Sequence, residues 1–377
     1  MFNKTITNRY YVNNKLVKPI KLWLLVSILL VFAIIVVGGI TRLTDSGLSI
    51  TEWKPVTGII PPFSDENWIH EFSKYQASPE YLKINKDMTL GEFKFIYLWE
   101  YAHRLLGRLV GIFFALPFAY LLYRKAIGKY FIKLFGGILF LGFLQGFFGW
   151  FMVKSGLVDY PHVSQYRLAL HFSTAVIISV MLTWGLLKVV FRDKRFHAKF
   201  NYKILGLNIW ILVQIISGAF VAGLDAGLVY NTFPLMDSKL IPDGLFALTP
   251  FYTNFFENIV MVQFIHRLNA MFVLAYSLYL VWYYRNNTLL KLLKINALIV
   301  LSQAALGVLT LIYQVPMVLG VLHQLNAVIV MLFASFVLFI ASINRKATAK
   351  KAFKTFNKRN NYNRNHKFSS PNSYNKA

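Results

Sequence analysis

The chain has no cysteine, so neither a disulfide nor a thiolate metal ligand can be part of it. Any bound metal has to be held by His, Met, Tyr or carboxylates. Acidic residues are scarce as well: 15 Asp and Glu against 40 Lys and Arg leave a net charge of +25. In a soluble chain that excess would suggest nucleic acid. Here the basic residues cluster between apolar runs and in the tail, with no aromatic-rich groove for base stacking, so nucleic-acid binding is set aside. In a membrane protein, loops rich in Lys and Arg stay on the cytoplasmic side and set orientation. What the chain has in abundance is apolar sequence, 56% hydrophobic with a mean hydropathy of +0.50. Runs of about 20 apolar residues are long enough to cross a bilayer, and eight can be counted here. The expected fold is an all-α polytopic membrane protein.

The spans are expected at about 21–40, 96–122, 131–153, 168–190, 204–222, 259–283, 289–312 and 317–343. Basic side chains fill the N-terminal segment 1–20, the turn between spans 2 and 3 (Arg124, Lys125, Lys129, Lys133), the loop between spans 4 and 5 (Lys188, Arg192, Lys194, Arg195, Lys199, Lys203) and the turn between spans 6 and 7 (Arg285, Lys291, Lys294). The long 1–2 and 5–6 loops carry Asp45, Glu52, Asp65, Glu66, Asp225, Asp237 and Asp243. Eight spans with both termini in the cytoplasm satisfy this sorting. Segment 1–20 is too short and too rich in Asn and Tyr to favour a presequence, and reads as a cytoplasmic lead-in. The tail 344–377 is basic and Asn-rich, and is expected to be disordered.

The chain is also built twice. Gly38-x6-Asp45-x-Gly47-Leu48 reappears as Gly218-x6-Asp225-x-Gly227-Leu228, and Gln145-x3-Gly149 as Gln303-x3-Gly307. An even number of spans in each copy makes the repeat parallel, unlike the inverted repeats of several transporter folds. Two parallel-repeat four-helix bundles are therefore expected, 21–191 and 192–343.

Of the eight histidines, His70, His162, His197 and His366 lie in loops or the tail. The others, His103, His171, His266 and His323, fall in the first two turns of spans 2, 4, 6 and 8, which all run inward, so they share one depth near the outer face. Each is followed four residues later by a small side chain: Gly107, Ala175, Ala270 and Ala327. A residue at i+4 lies beneath the histidine on the same helix face, and small residues there leave room for something flat. A single histidine in a span is most simply an interhelical hydrogen-bonding group. Four, in two equivalent pairs, point to imidazole pairs gripping haem iron in a helical bundle. Arg104 and Arg267 each follow a histidine, and Arg42, Arg108 and Arg167 lie toward the same side; guanidinium forks suit haem propionates, while headgroup anchoring is their blander role. Glu100 stands three residues before His103, where the second copy has Gln263 before His266. As a partner for Arg104 it would be an ordinary helix-surface ion pair.

Glu-x-x-His-Arg at 100–104, the stretch GGITRLTDSGLSITEWKPVTGIIPP at 38–62 and the HRLNA/HQLNA pair closely resemble the haem A synthase family, over residues 20–343. The resemblance implies an eight-helix inner-membrane enzyme that oxidises the C8 methyl of haem O to a formyl group, in two successive oxidations with loss of water from a geminal diol, supplying haem A to cytochrome oxidase. It implies haem b on His266 and His323, haem O on His103 and His171, and Glu100 as the essential carboxylate beside the methyl. Arg104 and Arg267 are the expected propionate partners. Some members carry a cysteine pair in an outer loop; this chain resembles the cysteine-free proteobacterial and mitochondrial subtype, and its Lys- and Asn-rich composition favours a bacterial inner membrane. Expected partners are haem O, the lipid bilayer and an electron donor, with haem O synthase, oxidase assembly factors and further copies of the chain as additional candidates. The competing readings are a di-haem b-type electron-transfer protein, which has no need of a carboxylate in one half only, and a transporter, which has no need of matched histidines.

Overall fold

The structure is a computed structural model and describes residues 9–54, 57–156, 163–192 and 201–367, the side chains of Ser155 and residues 344–367 excepted. His162 and His197, together with the basic residues Lys194, Arg195 and Lys199, lie outside the described residues, as does the side chain of His366. Eight helices are long and apolar enough to cross a membrane. In chain order the helices are α1 (Val17–Leu43), α2 (Asp65–Gln76), α3 (Pro79–Lys83), α4 (Leu90–Tyr123), α5 (Lys129–Gly156), α6 (Gln165–Val190), α7 (Tyr202–Gly223), α8 (Asn254–Glu257), α9 (Ile259–Tyr283), α10 (Leu290–Ile312) and α11 (Met317–Lys367). A multi-pass, all-helical membrane protein follows, with no strand among the described residues.

Sequence chemistry sets the helix ends. Thr89 and Glu92 form a reciprocal capping box that starts α4, and Asn258 accepts from the backbone of Val260 and Met261 to start α9. The α4 helix begins earlier than the apolar run, and α2 packs against it, with α3 on α2. One difference from expectation lies at the other end of the chain. The backbone of α11 continues to Lys367, beyond the apolar run that ends near 343. The stretch 345–354 is rich in Ala and Lys, which favour helix, and no Gly or Pro interrupts the chain before Pro371.

The first four spans pack in a closed ring, α1 on α4, α4 on α5, α5 on α6 and α6 back on α1. The last four do the same, α7 on α9, α9 on α10, α10 on α11 and α11 on α7. The two sets meet through α6–α7, α1–α11 and α6–α11 contacts. Their apolar core is densest at one end of the spans. There Trp23 stacks on Phe114 at 4.9 Å and meets Phe135 edge-on at 5.2 Å, among buried Leu24, Leu182, Leu207 and Leu280. Trp184 also donates to Ser335, tying α6 to α11. The opposite end carries the four intramembrane histidines. At this end of the first four spans a second, smaller core joins Ile50, Trp68, Tyr75, Phe93, Ile96 and Tyr97 into a folded cap.

Candidate functional site

Each intramembrane histidine lies against a glycine of the neighbouring helix. A Cβ added to Gly38 of α1 would stand 3.0 Å from His103 Nε2 on α4, and one on Gly149 of α5 would stand 3.4 Å from His171 Cε1 on α6. In the second half, a Cβ on Gly218 of α7 would meet His266 Cε1 of α9 at 3.0 Å, and one on Gly307 of α10 would meet His323 Cε1 of α11 at 2.9 Å. Only the missing side chain lets these rings come so close to the adjacent backbone. His103 is within electrostatic range of His171, and His266 of His323. All four histidines lie between helices and keep partial access.

One turn outward, the carboxylate of Glu100 is buried and fully engaged. Its Oε1 accepts from Arg104 Nε at 3.0 Å and Nη2 at 2.7 Å. Its Oε2 accepts from the Ser49 hydroxyl and the Ile50 amide, both at 2.7 Å. Arg104 in turn donates to the carbonyls of Ile50 and Glu52, both at 2.9 Å, and lies over the Trp53 ring. Together they clamp the start of the outer loop onto α4.

The second half builds the same clamp from different chemistry. Arg267 donates to the carbonyls of Tyr230 at 2.8 Å and Thr232 at 2.9 Å, the residues that the repeat aligns with Ile50 and Glu52. Gln263 donates to Ala226 O at 2.7 Å and accepts from Arg267 Nη2 at 3.2 Å. Val229 stands where the first half has Ser49, so no hydroxyl is present for a carboxylate to accept from. Arg267 Nε is buried without a partner.

The other arginines work mainly between protein groups. Arg42 bridges Asp45 at 3.1 Å and Asp225 at 2.6 Å, the two aspartates of the repeated motif, each held at positive φ. It thus pins the first half to the second. Arg167 donates to Phe151 O at 2.6 Å and stacks on that ring, while Arg108 donates to Lys54 O. A cavity of about 240 Å³, lined by His70, Tyr97, Tyr101, Arg104 and Arg108 among others, opens on the loop side of the clamp and includes none of the four intramembrane histidines. Beneath the cap, Glu80 is buried with Oε2 unpartnered, and burial raises its carboxyl to about 7. Burial likewise pushes the neighbouring Tyr75 hydroxyl upward. At the surface, hydrogen bonds from Lys54 and Lys74 hold Glu52 down at about 2.

Sequence reasoning singled out the four intramembrane histidines but not Ser49, Gln214, Ser217 or Glu80. A signal for two of these was present, since Gln214 and Ser217 are polar residues inside an apolar span, next to Gly218.

A membrane-embedded helical protein with two imidazole pairs between its helices is the class these features define. The sequence model of the COX15-CtaA family, described as cytochrome oxidase assembly protein, matches residues 21–335. The haem A synthase of Wolbachia pipientis wMel is 44% identical over 337 residues, covering 88% of this chain and 95% of the relative. That of Nitrosospira multiformis is 46% identical over 323 residues, 83% of this chain and 90% of the relative. That of Rhizobium meliloti is 46% identical over 337 residues, covering 84% and 88%. The chain belongs to the COX15-CtaA family.

Proposed function

We propose that this chain is a haem A synthase that holds two haems, one in each half, on paired histidines. The observation that carries the reading is the fourfold packing of histidine on glycine, sorted into His103 with His171 and His266 with His323. Among the described residues no three His, Asp or Glu side chains converge on a metal position. Two imidazoles suffice for an iron whose other four ligands come from a macrocycle. The partly accessible histidines and the unpartnered buried Arg267 Nε beside His266 fit a flat group bearing carboxylates.

In this reading residues 192–343 hold haem b on His266 and His323, with Arg267 toward a propionate. Residues 21–191 receive haem O on His103 and His171, with Arg104 beside them. Bound haem supplies the iron chemistry and the methyl group to be oxidised. The chain supplies position, a dry surrounding and charge. Glu100, one turn outward of His103 on the same face, fixes Ser49 and Ile50 above the first-half site. It also sets negative charge near a methyl that must lose protons and develop positive character. Electrons come from a donor outside the chain. Both termini lie in the cytoplasm of a bacterial inner membrane; reporter fusions at Ser64 or Asp237 that are active in the cytoplasm would contradict this orientation.

Extraction of pigment from the purified protein tests the function. Haem b together with haem O or haem A is the expected result. Haem b alone would turn the reading toward an electron carrier, and a haem-free protein would overturn it.

A further inference from the structure

The two histidine pairs are held differently. In the second half both rings have polar neighbours. Ser217 Oγ lies 2.9 Å from His266 Nδ1. Gln214 Nε2 lies 3.2 Å from the same nitrogen and donates to the His266 carbonyl at 3.1 Å. On the partner helix, Gln303 Nε2 lies 3.1 Å from His323 Nδ1 and donates to the His323 carbonyl at 3.0 Å. Gln214 and Gln303 each stand four residues before the glycine on which the histidine packs.

In the first half those positions are Ile34 and Gln145, and Val37 replaces Ser217. Among the described residues no hydrogen bond reaches the His103 ring. His171 faces the main-chain carbonyl of Gln145 as His323 does that of Gln303, and both glutamine Oε1 atoms are buried without a partner, but only His171 Nδ1 is left unpartnered as well. The His103 ring also turns Nε2 toward its glycine where the other three rings turn Cε1. That difference is a half-turn of the ring, and no polar neighbour selects between the two orientations.

A hydrogen bond donated by the ring N–H that does not ligate a metal fixes the tautomer and orientation of an imidazole and raises its basicity. Losing one typically weakens metal binding by about 10–100-fold. Of these neighbours only the Ser217 hydroxyl, which donates to Gln214 O, can accept a proton from His266 Nδ1 and leave Nε2 as the ligand; the Gln214 and Gln303 amide nitrogens can only donate, and they anchor the histidine backbones.

We propose that Gln214 and Ser217 are positioning residues that make the second half a retaining haem site, and that apolar Ile34 and Val37 leave the first half an exchanging one. A substrate that must enter and a product that must leave require the looser arrangement. The proposal rests on the haem-binding reading above.

Transfer of haem from purified full-length protein to excess apomyoglobin, followed by absorbance, is the test. Ser217→Val with Gln214→Ile copies the first half, and it should release the retained haem about 10–100-fold faster than wild type. Ser217→Thr keeps the hydroxyl and should match wild type. Ile34→Gln with Val37→Ser copies the second half and should slow the release of added haem O. Release at the wild-type rate from the Ser217→Val, Gln214→Ile protein would overturn the inference while leaving haem binding intact. Should that variant fail to accumulate, an unchanged release of haem O from the Ile34→Gln, Val37→Ser protein overturns it instead. A wild-type protein purified without any haem would overturn the functional reading rather than this one.

Discussion

The clamps above the two histidine pairs show how one architecture is kept while its chemistry is changed. Arg104 and Arg267 reach repeat-equivalent carbonyls, Ile50 and Glu52 in one half, Tyr230 and Thr232 in the other. The residue four positions before each arginine completes the clamp, but with opposite polarity. Glu100 can only accept, and its loop offers a hydroxyl and an amide. Gln263 uses its amide nitrogen to donate, and its loop offers carbonyls. Ser49 and Val229 differ in step with Glu100 and Gln263. The carboxylate confined to one half thus has a local structural partner, besides any part in chemistry. Position alone therefore does not assign a catalytic role to Glu100; the behaviour of variants does.

The largest expected effects come from removing one member of a histidine pair. His266→Ala or His323→Ala should abolish or severely disturb the spectrum of the retained haem. His103→Ala or His171→Ala should leave that spectrum in place and stop conversion of haem O. Spectra and haem stoichiometry of the four purified variants check this. A retained-haem signal unchanged in both second-half variants would sink the assignment of the halves.

Next comes the clamp. Glu100→Ala leaves the Arg104 guanidinium and the Ser49 and Ile50 donors without their acceptor, and breaking a buried pair of this kind costs about 3–5 kcal/mol. Thermal unfolding in detergent should show that loss. Glu100→Gln is gentler because Gln263 fills the same place in the second half. If the negative charge serves the reaction, Glu100→Gln folds, keeps haem b and accumulates haem O or a hydroxylated intermediate. Adding Ser49→Val, which completes the second-half clamp, should then restore stability without restoring haem A formation. Wild-type haem A formation by a well-folded Glu100→Gln protein would confine Glu100 to its structural part.

Much of this was legible in the sequence because the bilayer imposes a strong signal. A run of about 20 apolar residues has few alternatives to a spanning helix, and the eight spans followed from it. The histidines were legible because ionisable groups in such runs are costly and because the repeat aligned them. The Glu100–Arg104 pair was legible from its i,i+4 spacing, but its burial and the bonds from Ser49 and Ile50 were not, since they depend on the loop turning back onto α4, about 50 residues away. Arg42 reading both Asp45 and Asp225 was hidden for the same reason, as the bridge crosses 183 residues of sequence. Glu80 was passed over because a carboxylate in a polar loop ordinarily faces water; the aromatic cap that buries it exists only in three dimensions.

The glycines under the histidines offer a smaller and more local comparison. Gly218→Ala places a methyl 3.0 Å from the His266 ring, and Gly38→Ala places one 3.0 Å from His103. Each ring has to shift by a few tenths of an ångström, which overpacking makes cost about 1–3 kcal/mol. Gly218→Ala should perturb the retained haem spectrum and Gly38→Ala only the binding of added haem O. Identical effects of the two variants on the retained haem would contradict the division of the halves.

The smallest expected effect separates the outer loops. The first-half cap buries a titratable carboxyl, Glu80, whereas the 5–6 loop buries the amides of Asn254 and Asn258, which do not titrate. Burial, reinforced by the negative charges of Glu100 and Asp45, raises Glu80 from 4.5 to about 7. Between those values the unfolded chain gives up this proton while the folded cap keeps it. The cap is therefore at full strength below about 4.5 and weakens as pH rises toward 7, by at most about 3 kcal/mol. Glu80→Gln removes the titration while keeping the shape of the side chain. Limited proteolysis of the cap across this range should show wild type becoming more susceptible as pH rises, with the variant nearly flat and the more resistant of the two at neutral pH. Parallel profiles for the two proteins would mean that Glu80 is hydrated and ordinary, and that the two outer loops do not differ in their response to pH.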